Sequence, residues 1–289
     1  MEKQLKIAES ELIINADGSI YHLNILPEDI ADTIITVGDP ERIKSITKYF
    51  DEIQVEKSKR EFAKVTGIFK GKRLTVISTG IGTDNIDIVF NELDALANID
   101  LKNRTINEQF RQLTFIRIGT TGGLQSDIPV DTMVASQYAV GMDGLMHFYD
   151  CPALEDTENK IDTYIRAQSD FPPYVFSGDK DLLASMPATF VQGITVTCAG
   201  FYGPQNRSLR LKPKNAQFLS SLQSVEIEKD LKFVNFEMET AGIYGMASVL
   251  GHKAISLSVI LANRATGHFS NDPSKSVDKL IENVLGWIK

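Results

Sequence analysis

The chain has 289 residues, 43% of them hydrophobic, with 30 Lys and Arg against 38 Asp and Glu and a formal charge of -8. An acidic chain of this kind excludes bulk binding to nucleic acid or to an anionic membrane, so a cationic pocket within it points to a small anion. The two cysteines, Cys151 and Cys198, and the four histidines, His22, His147, His252 and His268, lack disulfide, redox or metal-ligand spacing. No catalytic metal is therefore expected, and the setting expected is a reducing cytoplasm.

The N-terminus has no cationic stretch followed by an apolar core, and no apolar run approaches the ~18–20 residues of a membrane span. Without linkers, repeats or low-complexity tracts, the chain reads as a single domain over residues 1–289, with residues 1–20 as an N-terminal extension. In chain order, β-rich runs at 33–37, 74–78, 115–118, 132–136, 194–197 and 255–261 predict strands. Residues 86–96 predict a helix, and so do residues 241–250, with Gly251 placed to end the second. Val277, Leu280, Ile281, Val284, Leu285 and Ile288 keep helical spacing and predict a docked terminal helix. Alternating strands and helices imply an α/β fold with a parallel or mixed central sheet, in which ligands gather at strand ends.

Several strand ends carry chemistry. After the first strand comes Gly38-Asp39-Pro40-Glu41-Arg42, where Asp39 can cap a helix and Pro40 can open it. Arg42 then lies in the first turn, where a cation is disfavoured unless it shares an anion with the helix dipole; the alternative is a solvated surface Arg. Ser78-Thr79-Gly80-Ile81-Gly82-Thr83 is a glycine-hydroxyl loop, but Asn85 stands where a dinucleotide fingerprint needs its third glycine. Phe115-Ile116-Arg117-Ile118 reads as a buried strand that breaks into a Gly119-Thr120-Thr121-Gly122-Gly123 loop. A cation inside such a strand needs an anionic partner, either a bound phosphate or a structural carboxylate.

Phe201-Tyr202-Gly203-Pro204-Gln205-Asn206-Arg207 offers an aromatic face, an amide and a guanidinium for a planar base; the alternative is a turn with a solvated Arg. Phe236-Glu237-Met238-Glu239-Thr240 follows a short strand and opens a helix. Its carboxylates can be simple dipole partners, or one can accept both hydroxyls of a sugar while Met238 packs on the ring.

The ordered set YHL, GDPER, REF, STGIG, RIGTTGG, DG-x-x-x-HF, FYGPQNR, FEMET and NR, from His22 to the terminal helix, resembles the nucleoside phosphorylase family. That family includes uridine phosphorylase, hexameric purine nucleoside phosphorylase and methylthioadenosine nucleosidase, and the chain looks closest to the uridine-specific members. The resemblance implies a central mixed, partly barrel-like sheet flanked by helices, and phosphorolysis of uridine to uracil and ribose 1-phosphate. It assigns phosphate to Gly38, Arg42, Arg117 and Thr120, with Arg60 reaching a neighbouring subunit's phosphate. It assigns ribose to Met238 and Glu239, with His22 reaching the neighbour's 5′-hydroxyl, and the base to Thr121, Gly122, Phe201, Gln205 and Arg207. Arg117, Arg207, Gln205 and Glu239 would carry catalysis. Uridine and phosphate are the implied partners, no cofactor is implied beyond phosphate as co-substrate, and a homodimer or a hexamer of dimers with shared sites is implied.

Purine-specific relatives carry an acid near Asn263, where this chain has an amide, and the nucleosidases lack the phosphate arginines. Departures from the family are the exchanged Gly203-Pro204, Asn206 in place of Glu, a longer 103–113 stretch and a different flap at 265–272. Asn85 also stands where some relatives have Ser near a monovalent cation at Glu61. A purine phosphorylase with an atypical base pocket, a hydrolase and a non-catalytic nucleoside sensor are the alternatives.

Overall fold

The computed structural model describes residues 6–288; of the stretch 1–20 set apart above, residues 1–5 lie outside it. The first half of the chain forms β1 (Thr33–Val37), α1 (Glu41–Thr47), β2 (Glu52–Lys59), β3 (Phe62–Phe69), β4 (Lys72–Ser78), α2 (Thr83–Asn98), β5 (Ile99–Asp100), β6 (Thr105–Ile106), β7 (Thr114–Gly123) and β8 (Met133–Met142). The second half forms α3 (Asp156–Gln168), β9 (Tyr174–Ser177), α4 (Lys180–Ala184), β10 (Phe190–Cys198), α5 (Phe218–Ser224), β11 (Glu226–Glu228), β12 (Leu231–Glu237), α6 (Thr240–Leu250), β13 (Lys253–Asn263) and α7 (Pro273–Trp287).

β7 is the hub of the sheet. β1 and β13 flank it in parallel, and beyond β1 the sheet continues through β4, β3 and β2. On the other side it runs through β13, β8, β10 and β12. The end of β12 then returns to β7, pairing Asn235 with Gly123 and Phe236 with Gly122 in the antiparallel sense. Five strands thereby close into a ring of mixed direction, the partly barrel-like sheet that the resemblance implies. Alternate residues of β7 face opposite sides. Phe115 packs with Phe90, Ile243 and Met246 against α2 and α6, whereas Ile116 and Ile118 pack with Ile43, Leu280 and Val284 against α1 and α7. Arg117 therefore projects to the side of α2 and α6. Leu12 and Ile20 are buried in the cluster around α2.

The expected helix starts and stops hold. Asp39 Oδ1 accepts the Glu41 N–H at 2.9 Å as α1 begins, and Gly251 closes α6 at φ 78°. One reading is corrected. Residues 119–123 are not a loop but the second half of β7, whose ladder with β13 continues to the pair Gly123 and Asn263. Glycine is depleted in strands, which makes this stretch look like a turn. Here its missing side chains make room: a Cβ on Gly119 would lie 1.9 Å from Arg117 Nη1, and one on Gly123 2.9 Å from Ile260 Cγ2. Among the described residues no helix is long and apolar enough to cross a membrane.

Candidate active site

Arg117 is 5% exposed, and three partners meet its guanidinium. Nη2 lies 2.5 Å from Glu239 Oε2 and 3.2 Å from Glu237 Oε2, while Nη1 donates to Ser258 Oγ at 3.1 Å. The carboxylate partner weighed against a bound anion is thus present. Burial alone would pull the Arg117 pKa down, and the two carboxylates more than offset it, so the net shift is upward. A second guanidinium converges on the same strand: Arg42 Nη1 donates to the Ile118 carbonyl at 3.3 Å. Burial lowers the Arg42 pKa, and the neighbouring Arg117 charge lowers it further. Arg42 makes no ion pair among the described residues, so a like-charged pair stands here with one member unneutralised. Thr120, two residues beyond Ile118, is half-buried, and its hydroxyl has no protein partner among the described residues. Gly38 packs so closely on the 80–82 loop that a Cβ would lie 3.3 Å from the Gly80 carbonyl oxygen.

The FEMET carboxylates differ in their work. Glu237 Oε2 accepts the N–H groups of Glu239 and Thr240, both at 2.9 Å, so it caps the start of α6. Its Oε1 accepts the Thr197 hydroxyl at 2.5 Å. Glu239 uses Oε1 to accept the Gly82 N–H at 2.9 Å and Oε2 to meet Arg117. Burial raises the Glu239 pKa; Arg117 opposes this and the Glu237 charge adds to it. Burial is the largest of these influences, so the net direction is upward. Met238, between them, is half-buried.

A second guanidinium pair marks the other end of this region. Arg207 Nη1 donates to the Phe201 carbonyl at 2.8 Å and to Gln205 Oε1, and its Cζ sits 3.8 Å from the Phe201 ring centroid. Arg264 binds the same loop from the far end of β13, donating to the carbonyls of Gln205 at 2.8 Å and Asn206 at 3.1 Å. Burial, with the Arg264 charge second, pulls the Arg207 pKa down to about 10. Gln205 is buried, whereas the Phe201 ring is half exposed. Gly122 lies beneath: a Cβ there would be 3.3 Å from Arg207 Nη2. The Thr121 hydroxyl, by contrast, is engaged within the barrel by the Phe236 carbonyl at 2.6 Å and by Asn235 Nδ2 at 2.7 Å. A cavity of about 1030 Å³ opens beside this loop, lined among others by Tyr202, Asn206, Arg207, Phe171 and Phe218.

A phosphorylase superfamily model matches residues 32–286. The chain belongs to the phosphorylase superfamily. It is 28% identical over 274 residues to the uridine phosphorylase of Thermococcus kodakarensis, covering 93% of this chain and 87% of that one. It is 29% identical over 276 residues to the Haemophilus influenzae uridine phosphorylase, covering 93% and 96%. A DeoD-type purine nucleoside phosphorylase of Listeria monocytogenes is 27% identical over 251 residues, covering 85% and 88%. Among solved structures, a Trypanosoma brucei nucleoside phosphorylase described as showing uridine phosphorylase activity superposes with a TM-score of 0.88 at 27% identity, covering 96% of this chain and 98% of that one.

Two residues assigned by resemblance make no hydrogen bond or ion pair with Arg117 within this superfamily member. His22 is held by Glu92, which lies ten residues past Gly82 on α2, roughly 15 Å along the helix from the Glu239 contact at a 1.5 Å rise. Arg60 is exposed at the β2–β3 turn in a left-handed conformation with φ 54°, and it has no ion pair among the described residues. Lys59 ties the two together: its Nζ donates to the Tyr21 carbonyl at 2.5 Å and lies 5.0 Å from the Tyr21 ring centroid. The segment bearing His22 and the turn bearing Arg60 are thus linked through Lys59.

Asn263, the amide compared above, is fully engaged. Its Nδ2 donates to the Gln125 and Ile128 carbonyls at 2.8 Å, and its Oδ1 accepts from Ala265 and Thr266 at 2.9 Å. Glu237, Ser258 and Arg264 received no role from the sequence. Glu237 and Arg264 lie inside motifs quoted above, next to assigned or compared positions, and that adjacency was the available signal. Ser258 carried none, because its contact depends on the register of β13 against β7.

Proposed function

We propose that this protein is a uridine phosphorylase, converting uridine and inorganic phosphate to uracil and ribose 1-phosphate. One observation carries the reading: Arg42 and Arg117 converge on β7 beside the buried Glu239, and Arg207 and Arg264 hold a loop over Gly122 of the same strand. Arg117 folds over Gly119 and Arg207 lies over Gly122, three residues apart, or ~10 Å at a strand rise of ~3.3 Å per residue. That leaves a place for phosphate at the Arg42 and Arg117 end and for a base at the Arg207 end, with Glu239 beside Arg117 for the ribose.

Arg42, Arg117, Thr120 and Gly38 would hold phosphate below C1′, so that binding supplies proximity. The dianion would stabilise the oxocarbenium-like sugar as the C1′–N1 bond breaks and the phosphate oxygen bonds to C1′. The bond's electron pair passes to the uracil, where charge gathers on the carbonyl oxygens. Arg207 and Gln205 would meet that charge as it develops, with Phe201 against the ring. The proton lost by hydrogenphosphate appears on uracil, so no dedicated protein acid is needed. Ionised Glu239 would accept ribose hydroxyls, with Met238 against the sugar. A donor at Arg207 also disfavours cytosine, which presents an amino group where uracil presents a carbonyl.

The runner-up, purine phosphorolysis, is less well supported because Asn263 is committed to the backbone and offers no acid. The exposed Arg60, without an ion pair among the described residues, supports a shared site in a homodimer or a hexamer of dimers. A cytoplasmic role in pyrimidine salvage, with phosphate as co-substrate and no further cofactor, completes the proposal. The test is uracil release from uridine with and without inorganic phosphate, with inosine alongside. Phosphate-dependent uracil and ribose 1-phosphate are expected. Release without phosphate, or cleavage of inosine alone, would overturn the reading.

A further inference from the structure

We propose that Glu92 is a positioning residue for the ribose end of the site: it holds His22 in the tautomer whose Nε2 accepts the nucleoside 5′-hydroxyl in the partner subunit. This rests on the uridine phosphorylase reading and deepens it.

The geometry is specific. Glu92 Oε1 lies 2.6 Å from His22 Nδ1. The same carboxylate accepts the His22 N–H at 2.9 and 3.0 Å and the Leu23 N–H at 2.8 Å. Four contacts from one side chain fix both the ring and the backbone that bears it. An ionised carboxylate only accepts hydrogen bonds, so Nδ1 must carry the proton. In the neutral ring Nε2 is then a bare acceptor, and it makes no hydrogen bond among the described residues.

A buried cation and an aromatic ring lie around this pair. Lys64 on β3 is buried, with Nζ donating to the Phe62 carbonyl at 2.8 Å, and the Glu92 charge acts on it. The Tyr21 ring packs edge-on against His22 at 4.7 Å, which limits rotation of the imidazole. The Lys59 bridge to Tyr21 extends this support to the turn bearing Arg60.

The test compares uridine with 5′-deoxyuridine, which lacks the hydroxyl that His22 would contact. Phosphorolysis by the full-length enzyme is measured for wild type, Glu92→Gln, His22→Ala and the double variant. For Glu92→Gln the expected result is a rise in KM for uridine of about tenfold, the scale of losing a supporting contact behind a first ligand, with a smaller change in kcat. On 5′-deoxyuridine all variants should match wild type within about twofold, and the double variant should add nothing to His22→Ala.

Equal losses on both nucleosides would overturn the proposal, as would a His22→Ala loss without a Glu92→Gln loss. Absence of phosphate-dependent uracil release by wild type would show separately that the functional reading itself fails, and the proposal would fall with it. A readout independent of activity is the long-range ¹H–¹⁵N spectrum of the His22 ring. Wild type should show the proton on Nδ1, and Glu92→Gln, whose amide can donate, should move it toward Nε2. An unchanged tautomer would overturn the assignment.

Discussion

Glu239 Oε2 lies 2.5 Å from Arg117 Nη2, while the other oxygen of the same carboxylate accepts the Gly82 N–H. One side chain thus joins the end of the 80–82 loop, the middle of β7 and the start of α6. Glu237 crowds the same guanidinium at 3.2 Å. Burial of this carboxylate raises the Glu239 pKa, and the Glu237 charge adds to it against the opposing Arg117.

The first prediction follows from that direction. The folded pKa of Glu239 lies above its unfolded value of ~4.3, so the native state takes up this proton first. Relative to Glu239→Gln, wild type should gain stability as pH falls through the raised pKa towards ~4, and uridine turnover should fall over the same interval as the acceptor is neutralised. Urea unfolding of both proteins from pH 8 down to pH 4 checks it; parallel curves would count against the shift.

Glu237→Ala should cost ~3–5 kcal/mol of stability, the scale of breaking a buried charge pair. It removes the acceptor for two N–H groups at the start of α6 and for the Thr197 hydroxyl, and it leaves Arg117 with Glu239 alone. Denaturant titration measures the loss, which should exceed that of Glu239→Gln.

Gly119→Ala places a methyl where the Arg117 guanidinium now lies, 1.9 Å from Nη1. The guanidinium must move, at ~1–3 kcal/mol for overpacking. The KM for phosphate should rise by more than tenfold, since Arg117 leaves the anion end. Gly122→Ala meets only the tip of Arg207 at 3.3 Å and should raise the KM for uridine instead. Steady-state kinetics with each substrate varied separates the two effects.

Arg207→Ala should keep phosphate binding and lower kcat/KM for uridine by more than ~100-fold, the scale of losing a transition-state donor. A variant within threefold of wild type would remove Arg207 from the mechanism.

Arg60→Ala and Arg117→Ala should complement each other if sites are shared between subunits. Each homodimer would be crippled, but a mixed dimer has one site with both arginines. Random mixing should restore about a quarter of the wild-type sites in a two-fold dimer. Co-expression followed by a uridine assay checks this, and activity no greater than the sum of the separate variants would argue against Arg60 acting across the interface.

The sequence made the strand cores and the helix ends legible because periodicity and capping are local. Residues 33–37 form a strand as read, Asp39 caps α1, and Gly251 ends α6. The 119–123 stretch misled for a physical reason: its glycines relieve crowding from Arg117 and Ile260, and that crowding exists only once the strand is folded. Glu237 and Glu239 read alike in sequence, two acids at a helix start, yet one caps α6 while the other bridges to Gly82 and Arg117. Arg264 gave no signal of its grip on the base loop, because its partners are backbone carbonyls nearly 60 residues upstream.

By itself the sequence determined the strand cores, the helix ends and the short motifs that carry the candidate residues, since apolar runs and ordered motifs are properties of the chain. The tertiary structure decided which groups meet. Closure of β12 onto β7 sets Gly122 and Gly123 against Phe236 and Asn235, and the register of β13 puts Ser258 within reach of Arg117. Pairings over such separations depend on how the sheet curls and closes, and that is fixed by packing across the whole barrel rather than by any local stretch.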